Sequence, residues 1–136
     1  MKANILWVNM EPTPQVNKAI STFKYVGYKV TPCDKKQGWK KFTSSYYDLI
    51  IITIETLDVS GFRLISKIRR EDKKRPILLA VANDRTCDGG RGLRLGANFF
   101  FTTAMADIYW IVYLIEQHIY ISIYGEPESD ALTSTP

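Results

Sequence analysis

The sequence predicts a doubly wound α/β domain, in which five parallel strands alternate with five helices. Three observations carry that prediction. Short, nearly uninterrupted apolar runs recur along the chain, as parallel strands covered on both faces require. Between them the apolar residues change to helical spacing, and glycine, proline or capping residues mark most of the changes. With 136 residues, the chain has the size of one domain and can bury roughly two-thirds of its unfolded surface.

The first run, Asn4-Ile5-Leu6-Trp7-Val8, reads as a buried strand. Thr13-Pro14 follows as an N-cap with proline at the first helical position. Val16, Ala19, Ile20 and Phe23 continue at helical spacing, and Gly27 supplies the stop. Lys29-Val30-Thr31 makes a short second strand, and a lysine-rich helix over 34–43 carries Gly38 inside it. Asp48-Leu49-Ile50-Ile51-Ile52-Thr53 has the composition of a central strand. Gly61 precedes a helix with Phe62, Ile65 and Ile68 on its apolar face, and Pro76-Ile77-Leu78-Leu79-Ala80-Val81 is the fourth strand. A short helix over 89–95 is closed by Gly96, and Phe99-Phe100-Phe101 is the fifth strand. Asp107 caps a last helix running to about Tyr120. Residues 125–136 are polar and aperiodic, which predicts a flexible acidic tail or linker after a domain over 1–124.

Right-handed crossovers leave few topologies for such a chain, and the flavodoxin-like strand order 2-1-3-4-5 is expected. A functional site then belongs at the carboxyl ends of the central strands. Those ends are Val8-Asn9-Met10-Glu11, Thr53-Ile54-Glu55, Val81-Ala82-Asn83 and Thr102-Thr103-Ala104.

Composition removes several classes. Hydrophobic residues at 46% and charged residues at 24% exclude a disordered chain. Cys33 and Cys87 are too few for a disulfide framework and lack zinc-type spacing, so a reduced cytoplasmic setting is expected. No basic neighbours mark either as a nucleophile. The opening residues run straight into a strand, which predicts no signal peptide. The most apolar stretch, 108–124, is interrupted by Glu116, Gln117 and His118, so no membrane span is expected. The formal charge of +4 is uneven: all 18 Lys and Arg and nine of the 14 acids lie at or before Arg94. Such a split marks a nucleic-acid face, an acidic tail, or simply solvated helix faces.

Asp48-Leu49-Ile50-Ile51-Ile52 is followed by Ser60-Gly61-Phe62, opening a helix that carries Ile68-Arg69. Then come Pro76-Ile77-Leu78-Leu79 and Gly92 with Leu95-Gly96-Ala97. In this order and spacing the phrases resemble the response-regulator receiver domain, over about residues 2–121. The family places two acids after its first strand to hold Mg²⁺, where this chain has Asn9 and Met10. The phosphoacceptor aspartate is replaced by Thr53, and the phosphoryl-contacting Thr or Ser by Val81. The Lys-Pro pair after the fifth strand is replaced by Thr103-Ala104. The sequence therefore resembles a pseudo-receiver, which implies a retained fold without phosphorelay chemistry.

The chemistry supports that expectation. A receiver takes phosphate by in-line attack of a carboxylate, with Mg²⁺ and a lysine neutralising the developing charge. Hard Mg²⁺ needs oxygen ligands, and a threonine hydroxyl without an adjacent base is a poor nucleophile. His118 lies late in the last helix. No catalytic residue, metal or cofactor is expected, and the chain is not expected to be an enzyme. Glu11, Glu55 and Asp58 are read as solvated loop acids, the alternative being that Glu11 or Glu55 rebuilds part of an acidic site. Thr53, Thr102 and Thr103 either line a small polar pocket or satisfy backbone groups at the strand ends.

Two surfaces remain. Arg63, Lys67, Arg70 and Lys74 form one basic stripe if their helix extends that far, and Lys35, Lys36, Lys40 and Lys41 add to the charge. With no helix-turn-helix segment, direct nucleic-acid binding is not expected. In the last helix, Ile108, Ile111, Val112, Ile115 and Ile119 supply a core stripe, leaving Tyr109, Trp110, Tyr113, Leu114, Tyr120 and Ile121 outside it. Exposed aromatics of this kind are enriched at interfaces, and receivers dimerise through this side. Tyr109, Trp110, Tyr113 and Tyr120 are therefore the expected contacts of a protein partner or a second copy, with a covering tail or domain as the alternative. The expected function is a phosphorylation-independent signalling module. The alternative is a sensor that binds a small molecule in the vacated pocket.

Overall fold

A computed structural model describes residues 3–10, 13–54, 59–82, 84–102 and 108–125, without the side chains of Gln15 and Ile108. Five strands run in chain order as β1 (Ala3–Val8), β2 (Tyr28–Cys33), β3 (Leu49–Thr53), β4 (Ile77–Val81) and β5 (Phe99–Thr102). They form one sheet in the order β2-β1-β3-β4-β5, every pair parallel. The helices are α1 (Pro14–Tyr25), α2 (Gly38–Ser44), α3 (Ser60–Glu71), α4 (Thr86–Leu95) and α5 (Ile108–Tyr124). The expected architecture and strand order are thus observed.

All five residues of β3 and all five of β4 are buried, as strands covered on both faces must be. Successive side chains along β1 alternate between two cores. Ile5 and Trp7 join α1 and α5 residues such as Phe23, Ile115 and Ile119 on one side. Leu6 and Val8 join Phe62, Ile65 and Ile68 of α3 on the other. At α1, Thr13 Oγ1 accepts from the Val16 amide at 3.1 Å with Pro14 in the first turn, as its sequence predicts.

Four element boundaries differ from the expectation. The helix expected over 34–43 begins only at Gly38, because the Asp34 carboxylate accepts from the Gln37 amide at 2.8 Å and sets a turn first. Gly38 is a packing residue there and not a breaker: a Cβ would stand 2.8 Å from Leu64 Cδ2. Helix α4 starts at Thr86, so Cys87 lies on a helix and not in a loop. Helix α5 runs four residues beyond Tyr120, to Tyr124. Helix α3 stops at Glu71, which removes Lys74 from the basic stripe. The Asp107 cap and the tail lie outside the described residues.

The end of α3 is fixed by Arg69. Its guanidinium donates to the Gly96 carbonyl at 2.7 Å, the Asp72 carbonyl at 3.0 Å and Asn98 Oδ1 at 2.7 Å. Asn98 Oδ1 also accepts from the Ile77 amide at 2.9 Å, so one side chain ties α3, α4, β4 and β5 together. Close by, burial pushes the Asp72 carboxyl up. Hydrogen bonds from the Lys74 and Arg75 amides, with the Arg75 guanidinium, outweigh that and hold it below the usual carboxylate range. Among the described residues, no helix is long and apolar enough to cross a membrane.

Among the described residues, one buried side-chain polar atom makes no hydrogen bond of good geometry: the Tyr28 hydroxyl is enclosed, with the Glu116 carboxylate its only polar neighbour of consequence. Burial, then the Glu116 carboxylate, pushes its pKa up to about 12. Tyr28→Phe is therefore expected to leave stability at neutral pH unchanged or raise it by up to about 1 kcal/mol. In the wild type the unfolded phenol ionises first, so stability falls as pH rises from about 10 towards 12. Urea midpoints across that range should decline less in the variant. An equal decline in both proteins would refute the assignment.

Candidate functional site

The site positions gather where β1 and β3 end side by side. Asn9 leaves β1 in the left-handed region, with φ 59°, a conformation that asparagine tolerates better than most residues. Its backbone amide donates to the Cys33 carbonyl at 2.8 Å, and its Nδ2 donates to the Thr53 carbonyl at 3.3 Å. Met10 turns into the core on the α1 and α5 side of the sheet. Thr53 is buried, and its hydroxyl accepts from Trp7 Nε1 at 3.0 Å. Val81 is fully enclosed in the other core. The strand ends therefore present a hydroxyl engaged by an indole and a side-chain amide engaged by the Thr53 backbone carbonyl.

These donors do not fit the Mg²⁺ that the receiver resemblance implies. Met10 and Val81 offer no oxygen, the Thr53 hydroxyl is neutral and engaged, and Asn9 offers at most one uncharged carbonyl. Thr102 pairs with Val81 across β5 and β4, two strands away from Thr53, so these two threonines do not share a pocket. The hydroxyl of Thr53 serves an indole and not the backbone. Thr103, Glu11, Glu55 and Asp58 lie outside the described residues. Near the same end of the sheet, the buried Asp88 is gripped by Arg85 at 2.9 and 3.1 Å. Cys33 ends β2 half-buried. Burial, then Asp34, pushes its thiol up against the opposing pull of Lys41, which suits an inert thiol.

Sequence reasoning singled out Thr53 but missed Trp7, its partner. The only signal was an aromatic in a strand otherwise aliphatic, and aromatics usually signify packing. The register that places Trp7 beside Ile51, two residues before Thr53, is a property of the assembled sheet.

The second candidate surface is α5. Ile111, Val112, Ile115 and Ile119 are buried, while Tyr109, Trp110, Tyr113 and Tyr120 are 73%, 44%, 50% and 48% exposed. Trp110 and Tyr113 stack with ring centroids 5.7 Å apart, and Tyr120 meets Tyr124 at 4.7 Å. Tyr109, Tyr113, Tyr120 and Tyr124 fall on one side of the helix, opposite the core stripe. The basic residues lie elsewhere. Arg63, Lys67 and Arg70 border a groove between α3 and α4, of about 650 Å³, with Arg91 on its far side. Lys67 rests over the Trp39 ring at 4.7 Å.

The Trp7–Thr53 bond is open to direct test. Trp7→Phe and Thr53→Val should each destabilise the domain, and a double-mutant cycle in urea should give a coupling of about 0.5–1.5 kcal/mol. A coupling near zero would show that the bond adds nothing.

No family model matches the chain. It is 35% identical over 68 residues to the response regulator ArlR of Staphylococcus aureus, covering 50% of this chain and 31% of that protein. To the transcriptional regulatory protein CiaR of Streptococcus pneumoniae it is 29% identical over 69 residues, 51% of this chain and 31% of the relative. The chain thus matches about a third of the length of these curated relatives. Among solved structures it resembles the receiver domain of the TMAO respiratory system response regulator TorR. That likeness has a TM-score of 0.74 at 23% identity and covers 87% of this chain and 97% of that one. Sequence likeness over half of the chain and the strand order point the same way: the chain is similar to the receiver domains of response regulators and has the CheY-like fold.

Proposed function

We propose that this domain is a phosphorylation-independent receiver that signals by binding a protein, or a second copy of itself, through α5. The observation that carries the reading is the simultaneous loss of charge at the strand ends. Asn9, Met10, Thr53 and Val81 stand where receivers hold acids, phosphoacceptor and hydroxyl, and the Thr53 hydroxyl is engaged by Trp7 while the Asn9 amide is engaged by the Thr53 carbonyl. A carboxylate nucleophile is replaced by a hydroxyl that has an indole donor and no base among the described residues. On this reading the domain is not an enzyme, and binding supplies the signal that phosphate supplies elsewhere. The exposed α5 aromatics are the residue types that anchor interfaces. Free Cys33 and Cys87 accord with a reducing cytoplasmic setting.

Acetyl phosphate with Mg²⁺ should leave the intact mass unchanged, and Thr53→Asp alone should not restore uptake, because nucleophile, metal ligands and lysine act as a unit. A phosphoryl adduct that disappears in Thr53→Ala would overturn the reading.

The binding face has its own test. Trp110→Ala with Tyr113→Ala should weaken self-association or partner binding at least tenfold, about 1.4 kcal/mol, with the circular dichroism spectrum unchanged. Sedimentation across a concentration series reads the first, and an unfolded double variant of a strictly monomeric wild type would assign both rings to the core.

A further inference from the structure

We propose that the groove between α3 and α4 is a second binding site, and that it takes an extended acidic segment of a protein partner in which apolar residues alternate with carboxylates. The groove lies across the sheet from α5. Phe62 and Ile65 of α3 pack in one core, whereas Ile115 and Ile119 of α5 pack in the other. The site is thus separate from the α5 surface and does not rest on what binds there.

Charge is the first argument. Arg63, Lys67 and Arg70 stand on one wall of this hollow of about 650 Å³, Arg91 stands on the other, and no acid lines it among the described residues. All four cations are exposed, and among the described residues none has an ion-pair partner. Other arginines of the surface are neutralised: Arg75 by Asp72 and Arg85 by Asp88, each at 2.9 Å. Arg63 and Lys67 are four residues apart on α3, and Lys67 and Arg70 three, spacings at which like charges repel along a helix. A row of carboxylates removes that repulsion.

The floor is the second. Val59, Phe62 and Leu95 supply apolar surface between the charged walls. The Arg91 guanidinium lies over the Phe62 ring at 4.5 Å. The electron-rich ring face holds that cation in place without a carboxylate to neutralise it. A ligand that is only charged makes no use of such a floor, whereas an apolar side chain between two acids does.

Spacing is the third. From Arg63 to Arg70 the helix rises roughly 10 Å. In an extended chain, residues two apart share one side at roughly 7 Å intervals. Two carboxylates can therefore follow the row of cations while the residue between them faces the floor. Nucleic acid fits less well. A single strand gains much of its affinity by stacking bases on open rings, and here Phe62 is buried beneath Arg91 while Lys67 covers Trp39 at 4.7 Å.

The test uses the full chain and a fluorescein-labelled peptide, Glu-Leu-Glu-Leu-Glu, with binding read by fluorescence anisotropy at about 0.1 M salt. Peptides with Gln in place of Glu, or Ser in place of Leu, should each bind weaker by about tenfold or more. Arg63→Gln with Arg70→Gln, and Arg91→Gln alone, should each cost the first peptide about tenfold. Lys18→Gln with Lys24→Gln removes two charges from α1, on the other face of the sheet, and should change binding by no more than about twofold. Circular dichroism checks that each variant is folded. Absence of binding at about 1 mM peptide would overturn the proposal, as would equal binding of the three peptides or an equal loss in the α1 variant. A labelled thymidine oligonucleotide that binds more tightly than the peptide, and loses affinity in the groove variants, would assign the groove to nucleic acid and overturn it too.

Discussion

The central strand β3 has no exposed face, and the rest of the domain follows from that constraint. Its five residues, Leu49-Ile50-Ile51-Ile52-Thr53, are all buried. Each fully covered isoleucine contributes about 1.5–3 kcal/mol relative to exposure, so helices must cover both sides of the sheet. Parallel neighbours require crossovers, and those crossovers are the helices that do the covering. With both faces closed, the strand ends are where side chains can meet outside a core. Thr53 is the residue at which the hydrophobic run gives way, and it meets Trp7 and Asn9 there.

At that edge the domain solves a different electrostatic problem from a cluster of carboxylates. Several acids at one strand end repel each other and require a cation or raised pKa values. Here an indole donates to a hydroxyl and an amide donates to a backbone carbonyl, neither needing a counterion, and Met10 adds apolar packing beside them. Such a neutral set couples β1 to β3 without drawing on solvent ions. The charged clamps lie elsewhere: Arg69 binds α3 to the starts of β4 and β5, and Arg85 holds Asp88 at the first turn of α4.

Local patterns were legible in the sequence where one element alone decides them. The five apolar runs, the Thr13-Pro14 helix start and the inward face of α5 all depend on periodicity or capping within a few residues. The exposed side of α5 was equally legible, because a complete isoleucine and valine stripe leaves the tyrosines nowhere else to go. What could not be read depends on the assembled sheet. The Trp7–Thr53 bond spans 46 residues and needs the β1–β3 register. Gly38 reads as a helix breaker until Leu64 is seen against it. Arg69 reads as one more cation on a basic helix, although burial, its largest influence, pushes its pKa down while its guanidinium joins four elements. The length of α3, and with it the fate of Lys74, turns on Asp72 accepting from the two amides that follow.

The placement of the three tryptophans makes the domain its own optical reporter. Trp7 is almost wholly enclosed and hydrogen-bonded, Trp39 is half-buried beneath the Lys67 ammonium, and Trp110 faces solvent in a stack with Tyr113. Their intrinsic emission therefore sums three environments: an apolar interior, a cation-capped surface ring and a wetted aromatic pair. An event confined to α5 alters the red-emitting component alone, whereas loosening of the sheet shifts the blue one. Fluorescence without any attached dye thus separates an encounter at the surface from a change in the interior.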